Sequence, residues 1–363
     1  MRPPTTWHAR AVAVRFPRPL RPGDVVGVTA PSSGVPAPLV PRLDVAVDVL
    51  RGRGLQVRVG ACVVDRPELP HGELVSAPAA ERAAELQAML LDPEVRAVVP
   101  PWGGELAVEV LPLLDWDALA AAEPTWLVGY SDTSTLTLAL TTRLGWATLH
   151  GPNLLDTPYR VPEPLLPWLD VVSSPAGAAL AQGPSTAHRA EGFDDWEADP
   201  AVTEPTHDTT GTWELLDPAA GPVRARGRLL GGCVETVSIL AGTPSGDVPG
   251  FAAAHAGEDG LLLHLEAGGD GATDVARDLW RLRLAGWFDV ASAVLVGRTS
   301  APASGSFTQH DAVRSALAGL DVPVVVDVDC GHVPPQLALV DGALAEVVVD
   351  PTTGERGLVQ HLR

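Results

Sequence analysis

Apolar residues fall along this chain in two alternating rhythms. Short unbroken runs, beginning with Val25-Val26-Gly27-Val28-Thr29-Ala30, have the length and β-branched character of buried strands. Between them lie stretches with apolar positions at helical spacing, from Leu39 to Leu50 with a stop at Gly52 and Gly54, and from Ala79 to Leu91. Leu55 to Val59 and Val95 to Val99 repeat the strand pattern, a helix is predicted from Glu105 to Leu114, and a further apolar run ends at Val128. Strands alternating with helices predict a parallel sheet covered on both faces, so residues 23–155 read as an α/β domain.

The remaining pattern divides the chain further. Residues 1–22 are rich in Pro and Arg without period and are expected to form a flexible arm. Residues 156–222 turn polar and Pro-rich, with Trp168, Trp196 and Trp213 scattered through them, and read as a connector with a substrate-covering loop. From 223 to 363 the pattern resumes. Strands are predicted at Arg224–Leu230, Gly260–Glu266, Ala293–Val296, Val322–Val326, Leu337–Val340 and Glu346–Val349. A turn is predicted at Gly231-Gly232, with helices at Val234–Leu240 and Asp274–Ala285, so this half reads as a smaller α/β or β-rich domain.

In an open α/β sheet the loops that follow the strand ends share one edge, and ligands bind there. Loops 30–34, 100–104 and 129–132 therefore converge. The last carries Gly129-Tyr130-Ser131-Asp132, where a strand gives way to a helix. A serine at such a turn projects its hydroxyl beside free backbone N–H groups and the positive end of the helix, which makes Ser131 the candidate nucleophile. Thr133 stands where the usual elbow has a second glycine, and an N-cap role is the competing reading. Gly103-Gly104 offers bare backbone for an oxyanion hole, or simply a tight turn.

Composition narrows the chemistry. The 363 residues are 46% hydrophobic, enough to bury a core of two domains. A net charge of −20 argues against nucleic acid and anionic membrane as partners. No apolar run is long enough to span a bilayer, and Met1-Arg2-Pro3-Pro4 lacks the apolar core of a signal peptide, so a cytoplasmic protein is expected. Cys62, Cys233 and Cys330 are too widely spaced for a disulfide framework or a zinc knuckle and are expected to be reduced and buried. All 25 basic residues are arginine, which removes a Walker lysine, a Schiff base and a Ser-Lys dyad from consideration. The base for Ser131 must then be histidine or a carboxylate. His332 follows a buried strand in a Gly-His-Val-Pro turn, and His150 ends another. Glu266 closes the apolar run Leu261-Leu262-Leu263-His264-Leu265 and is a candidate to orient the base, with Asp270 and Asp274 as nearby substitutes.

These ordered blocks resemble the serine LD-carboxypeptidase family (peptidase family S66). The resemblance rests on Gly23 to Ser32, Gly103-Gly104 with Leu111-Pro112-Leu113-Leu114-Asp115, Gly129-Tyr130-Ser131-Asp132, His150-Gly151-Pro152, Gly231-Gly232 with Gly242-Thr243-Pro244, Leu265-Glu266 and Gly331-His332. It implies a flavodoxin-like N-terminal domain, a smaller C-terminal domain, an active site between them, a homodimer and no metal or cofactor. It also implies Ser131 as nucleophile, His332 as base and Glu266 as its orienting acid, with an oxyanion hole from the backbone of Asp132 and of Gly103 or Gly104. Pro101-Trp102-Gly103-Gly104-Glu105 and the Trp-bearing connector are closer to the branch that includes the microcin immunity peptidases than to the muropeptide enzymes. The expected function is therefore hydrolysis of an amide in a muropeptide or a peptidyl- or aminoacyl-nucleotide. Trp196 or Trp213 would stack on the substrate, His150 would line the site, and Arg298 would hold a carboxylate. The rivals are a non-catalytic peptide- or nucleotide-binding protein on the same scaffold and a nucleotide-dependent enzyme, the latter weakened by the lack of Gly-x-Gly-x-x-Gly after the first strand.

Overall fold

The computed structural model describes residues 13–69, 71–72 and 74–363. Its first half is built from β1 (Val25–Val28), α1 (Val40–Gly52), β2 (Gln56–Val59), α2 (Ala79–Leu91), β3 (Val95–Val98), α3 (Trp116–Ala121), β4 (Trp126–Leu127) and α4 (Ser134–Leu144). The four strands pair in parallel in the order β2-β1-β3-β4. The chain thus runs outward from β1 on one side and returns to its other side. That reversal opens a crevice at the strand C-termini, where the three predicted loops do meet: Ser33 N–H donates to Gly103 O at 3.3 Å, and Trp102 Nε1–H to Gly34 O at 2.9 Å. The helix expected at 105–114 is a 3-10 segment, Ala107–Leu113, because Pro112 inside it has no N–H to continue an α-helical ladder.

The first half ends with β5 (Thr148–His150), and the second continues with α5 (Trp168–Ser173), β6 (Ala179–Gln182), β7 (Ala187–His188), β8 (Thr209–Thr210), β9 (Glu214–Leu215), β10 (Val223–Cys233), α6 (Val234–Val237), α7 (Val248–Phe251), β11 (Leu261–Glu266), α8 (Ala272–Leu284), β12 (Ala291–Gly297), α9 (Gln309–Leu317), β13 (Val324–Val328), β14 (Leu339–Asp341), β15 (Leu344–Asp350) and β16 (Glu355–His361). Eight of these strands form one sheet in the order β6-β16-β15-β10-β11-β12-β13-β9, with β10 to β13 parallel at its centre. Gly231-Gly232, expected as a turn, is strand: the parallel pairing of β10 with β11 runs on to Cys233 opposite Glu266. The segment expected as a connector supplies both edge strands, β6 and β9, and so belongs to this sheet.

Two features bind the halves together. The antiparallel pair β14–β5 sets Leu339 opposite His150 and Asp341 opposite Thr148. A single apolar cluster runs from Val26 and Val98 of the first sheet through Leu138 of α4 to Leu263 and Val294 of the second. The flexible arm expected at 1–22 does not hold for residues 13–22. Val14 and Leu20 are buried, Arg15 N–H donates to Gly145 O at 2.7 Å, and Leu20 N–H to Val172 O at 2.9 Å. Residues 1–12 lie outside the described residues. Among the described residues no helix is long and apolar enough to cross a membrane.

Candidate active site

Strand β4 delivers Gly129 and Tyr130 to the sheet edge, and the chain then turns sharply through Ser131 at φ +61° before α4 begins. A side-chain-bearing residue holds this left-handed conformation only where its surroundings over-determine it. Asp132 is the determinant. Its buried carboxylate accepts from Ser32 Oγ, from Ala107 N–H at 2.7 Å and from Thr135 Oγ1 at 3.3 Å, which pins the turn to the loop after β1 and to the 3-10 segment. Burial pushes its pKa above the usual carboxylate value despite these bonds.

The partners of Ser131 come from the other sheet. Glu266 ends β11 with its side chain fully enclosed, and His332 follows β13 in the loop Cys330-Gly331-His332. His332 Nδ1 lies 2.8 Å from Glu266 Oε2, and His332 Nε2 lies 3.1 Å from Ser131 Oγ. With Nδ1–H donating to the carboxylate, Nε2 is left to accept the serine proton. The approach needs glycine at 331, which sits at φ +98°, because a Cβ there would fall 2.4 Å from Glu266 Oε2. The Tyr130 ring packs edge-on to the imidazole with centroids 5.0 Å apart.

Burial works against a charged His332, yet Glu266, hydrogen-bonded to it, together with Glu235 and Asp156 holds its pKa above the ordinary value of 6.5. Asp156, half-buried at a cavity wall, is pushed up to about 6 by burial, partly offset by the N–H of Asn153. On the other side of Ser131, a Cβ on Gly103 would fall 2.8 Å from Ser131 Oγ and 3.0 Å from Asp132 N. Gly103, the Ser131 hydroxyl and the Asp132 amide therefore face one small space, as an oxyanion hole requires. Gly104 turns toward Ser32 and Ser33.

Ser131 and His332 open onto a cavity of about 910 Å³ whose walls include Trp102, Phe193 and Trp196. Its carboxylates are Asp65, Asp156, Asp194, Asp195 and Glu197, and none of the described residues lining it is an arginine. Trp196 is held at this wall by Arg42, whose guanidinium lies 5.1 Å from the Trp196 ring and 4.8 Å from that of Tyr159.

Three expected substrate residues are elsewhere. Trp213 is fully buried, and its Nε1–H donates to Asp329 Oδ2 at 2.8 Å, so it anchors β9 and has no face to offer a ligand. Arg298 is only 6% exposed and spends its guanidinium on Asp329 Oδ1 at 2.7 Å and on Asp327 O at 3.0 Å. His150 is completely buried with Nδ1 3.5 Å from Ser134 Oγ and its ring edge-on to Tyr130, and it does not line the cavity. Tyr130, Asp156 and Glu235 were not singled out from the sequence, although Tyr130 lies inside the Gly-x-Ser-Asp stretch.

Comparison with known proteins places this geometry. The models for the LD-carboxypeptidase N-terminal and C-terminal domains match residues 26–151 and 226–347. A Streptomyces coelicolor protein that bears a carboxypeptidase name is 34% identical over 93% of this chain and 94% of its own length. The microcin C7 self-immunity protein MccF of Escherichia coli is 24% identical over 88% of this chain and 89% of its own. Solved structures of MccF, among them complexes with glutamyl sulfamoyl guanosine and with aspartyl sulfamoyl adenosine, share the fold at TM-score 0.77 and 20% identity, covering 96% of this chain and 98% of theirs. The chain belongs to the LD-carboxypeptidase family, peptidase S66.

Proposed function

We propose that this protein is a serine hydrolase in which Ser131, His332 and Glu266 act as a triad, and that it cleaves the amide of a peptidyl- or aminoacyl-nucleotide. The observation that carries the reading is the hydrogen-bonded line from Ser131 Oγ through His332 to Glu266, opening on a cavity walled by Trp196. Ser131 Oγ attacks the amide carbonyl carbon while its proton passes to His332 Nε2. The oxyanion is received by the N–H groups of Asp132 and Gly103, and Glu266 stabilises the imidazolium. His332 then gives the proton to the departing amine, and a water deprotonated by the same nitrogen hydrolyses the acyl-enzyme to a carboxylic acid and free Ser131.

Between the two substrate classes, the cavity favours the nucleotide-bearing amide. Trp196 and Phe193 offer aromatic faces suited to a base. An adjoining pocket shares Tyr130, Asp156, Phe193, Trp196 and His332 with the cavity and carries Arg160 and Arg189, so guanidinium groups stand beside the site for an anionic group of either substrate, and the aromatic walls are what favour the nucleotide. The sulfamoyl nucleotides bound in MccF structures are consistent with this choice. A homodimer and a cytoplasmic location belong to the same proposal, and sedimentation velocity checks the first.

The test is hydrolysis of glutamyl sulfamoyl adenosine beside an L,D-tetrapeptide ending in D-Ala, each with the native chain and with Ser131→Ala. Turnover of the nucleotide should exceed that of the peptide, and the variant should lose a factor of about 10⁴ or more. Near-normal hydrolysis by Ser131→Ala would refute the triad. Preference for the tetrapeptide would refute the substrate class alone.

A further inference from the structure

Beneath the candidate active site lies a second set of chemically able side chains that the proposed hydrolysis does not use. His150 at the end of β5, His264 in the middle of β11 and Cys330 just past β13 are all buried, and one donor atom from each falls within 4.8 Å of the others. His150 Nε2 and His264 Nδ1 are enclosed and have no hydrogen-bond partner. Two unpaired imidazole nitrogens in a buried interior, on rings whose centroids are 4.8 Å apart, cost free energy that a shared ligand would recover. Each ring is also held from its far side, His264 by Asp341 Oδ1 at 2.7 Å from Nε2, and His150 by Ser134 Oγ at 3.5 Å from Nδ1.

We propose that His150 Nε2, His264 Nδ1 and Cys330 Sγ bind one Zn²⁺ ion that staples β5 to β11 and β13 under the catalytic histidine. Two imidazoles and a thiolate are a donor set suited to zinc, and a carboxylate or hydroxyl on the far nitrogen is the usual way of fixing a ligating ring. Zn–N bonds of about 2.0 Å and a Zn–S bond of about 2.3 Å need donors roughly 3.3–3.6 Å apart, closer than the 4.8 Å within which they now lie, so the three side chains draw together on the ion and a water takes the fourth tetrahedral position. Charge balances as well. The ion displaces the proton of the Cys330 thiol to solvent, and its two positive charges are then met by that thiolate and by the Asp341 carboxylate behind His264. The ligands come from widely separated parts of the chain, which is why no spacing motif announces them, and the proposal departs from the family expectation of no metal. Because β5 belongs to the half that carries Ser131, and β11 and β13 lead to Glu266 and His332, the ion would hold the two halves of the triad in register.

The full-length protein stripped with chelator and titrated with Co²⁺ tests this. The expected result is one ion per chain with a thiolate-to-cobalt charge-transfer band, lost in Cys330→Ser and retained in Cys233→Ser. Cys233 is the discriminating control because it lies with Glu266 and His332 in the other group of possible ligands. A band lost in Cys233→Ser and kept in Cys330→Ser would overturn the assignment, as would an ion bound with no thiolate band. Should Cys330→Ser not fold, the native chain decides by itself. Its melting temperature should rise on adding Zn²⁺ to the stripped protein. An unchanged melting temperature with no stoichiometric uptake would mean that a buried water bridges the two imidazoles and no metal binds.

Discussion

Ser131 combines a left-handed backbone with a hydroxyl aimed at an imidazole whose far nitrogen faces a buried carboxylate. Because hydrolysis requires neutral His332, and because that ring's pKa sits above 6.5, the rate should fall on the acid side through a midpoint above that value. The charged groups that set this midpoint are Glu266, Glu235 and Asp156, acting against burial. Removing one negative charge weakens the imidazolium, so Asp156→Asn should move the acid limb of kcat/KM to lower pH. A limb that stayed in place or moved up would argue against that coupling. On the opposite side of the serine, Gly103→Ala would put a methyl 2.8 Å from Ser131 Oγ, where the oxyanion must form. A loss of about 10²–10³ in kcat with an unchanged melting temperature is expected.

At the scale of elements, buried arginines act as clamps between segments. Arg82 of α2 donates to Pro31 O and to Leu106 O, and so fixes the loop after β1 against the chain that follows Gly103-Gly104. Arg42 of α1 donates to Leu155 O, Pro200 O and Val202 O while its plane covers Tyr159 and Trp196. Both tasks use a planar fork with several donors, which the point charge of a lysine does not supply. Arg42→Lys should therefore loosen the segment around Trp196, raising KM for a nucleotide-bearing substrate several-fold with a smaller change in kcat. Steady-state kinetics alongside Trp fluorescence would show it, and an unaltered KM would separate Trp196 from binding.

For the whole molecule, the two sheets share one apolar cluster and are bridged by β14 and β5. The second half also packs a separate apolar cluster around Trp213, Leu262 and Val347, yet the cluster shared with the first half is the larger. Calorimetry should accordingly show a single cooperative transition in which the calorimetric and van't Hoff enthalpies agree, in spite of the chain's length. Two resolved transitions would mean that the halves are independent units. The proposed site depends on this union, since Ser131 follows a strand of one sheet while Glu266 ends, and His332 follows, strands of the other.

Local pattern determined much of this protein. Continuous apolar runs marked most central strands to within a residue or two, with β10 running three residues past its expected end, helical spacing marked α1, α2 and α8, and the Gly-x-Ser-Asp turn pointed to Ser131 because a strand-to-helix junction is encoded in adjacent residues. Glu266 and His332 were also legible, each as a polar group standing just past an apolar strand, where burial demands a partner. The tertiary structure decided what lies across space. It showed that Trp213 and Arg298 spend polar atoms on Asp329 and that His150 is fully buried. It also showed that residues 13–22 and the supposed connector are built into the fold, and that two histidines and a cysteine converge beneath the catalytic ring. Burial and partner choice depend on residues from 31 positions away, as for Arg298 and Asp329, to 201, as for Ser131 and His332, and hydrophobic periodicity carries no record of them.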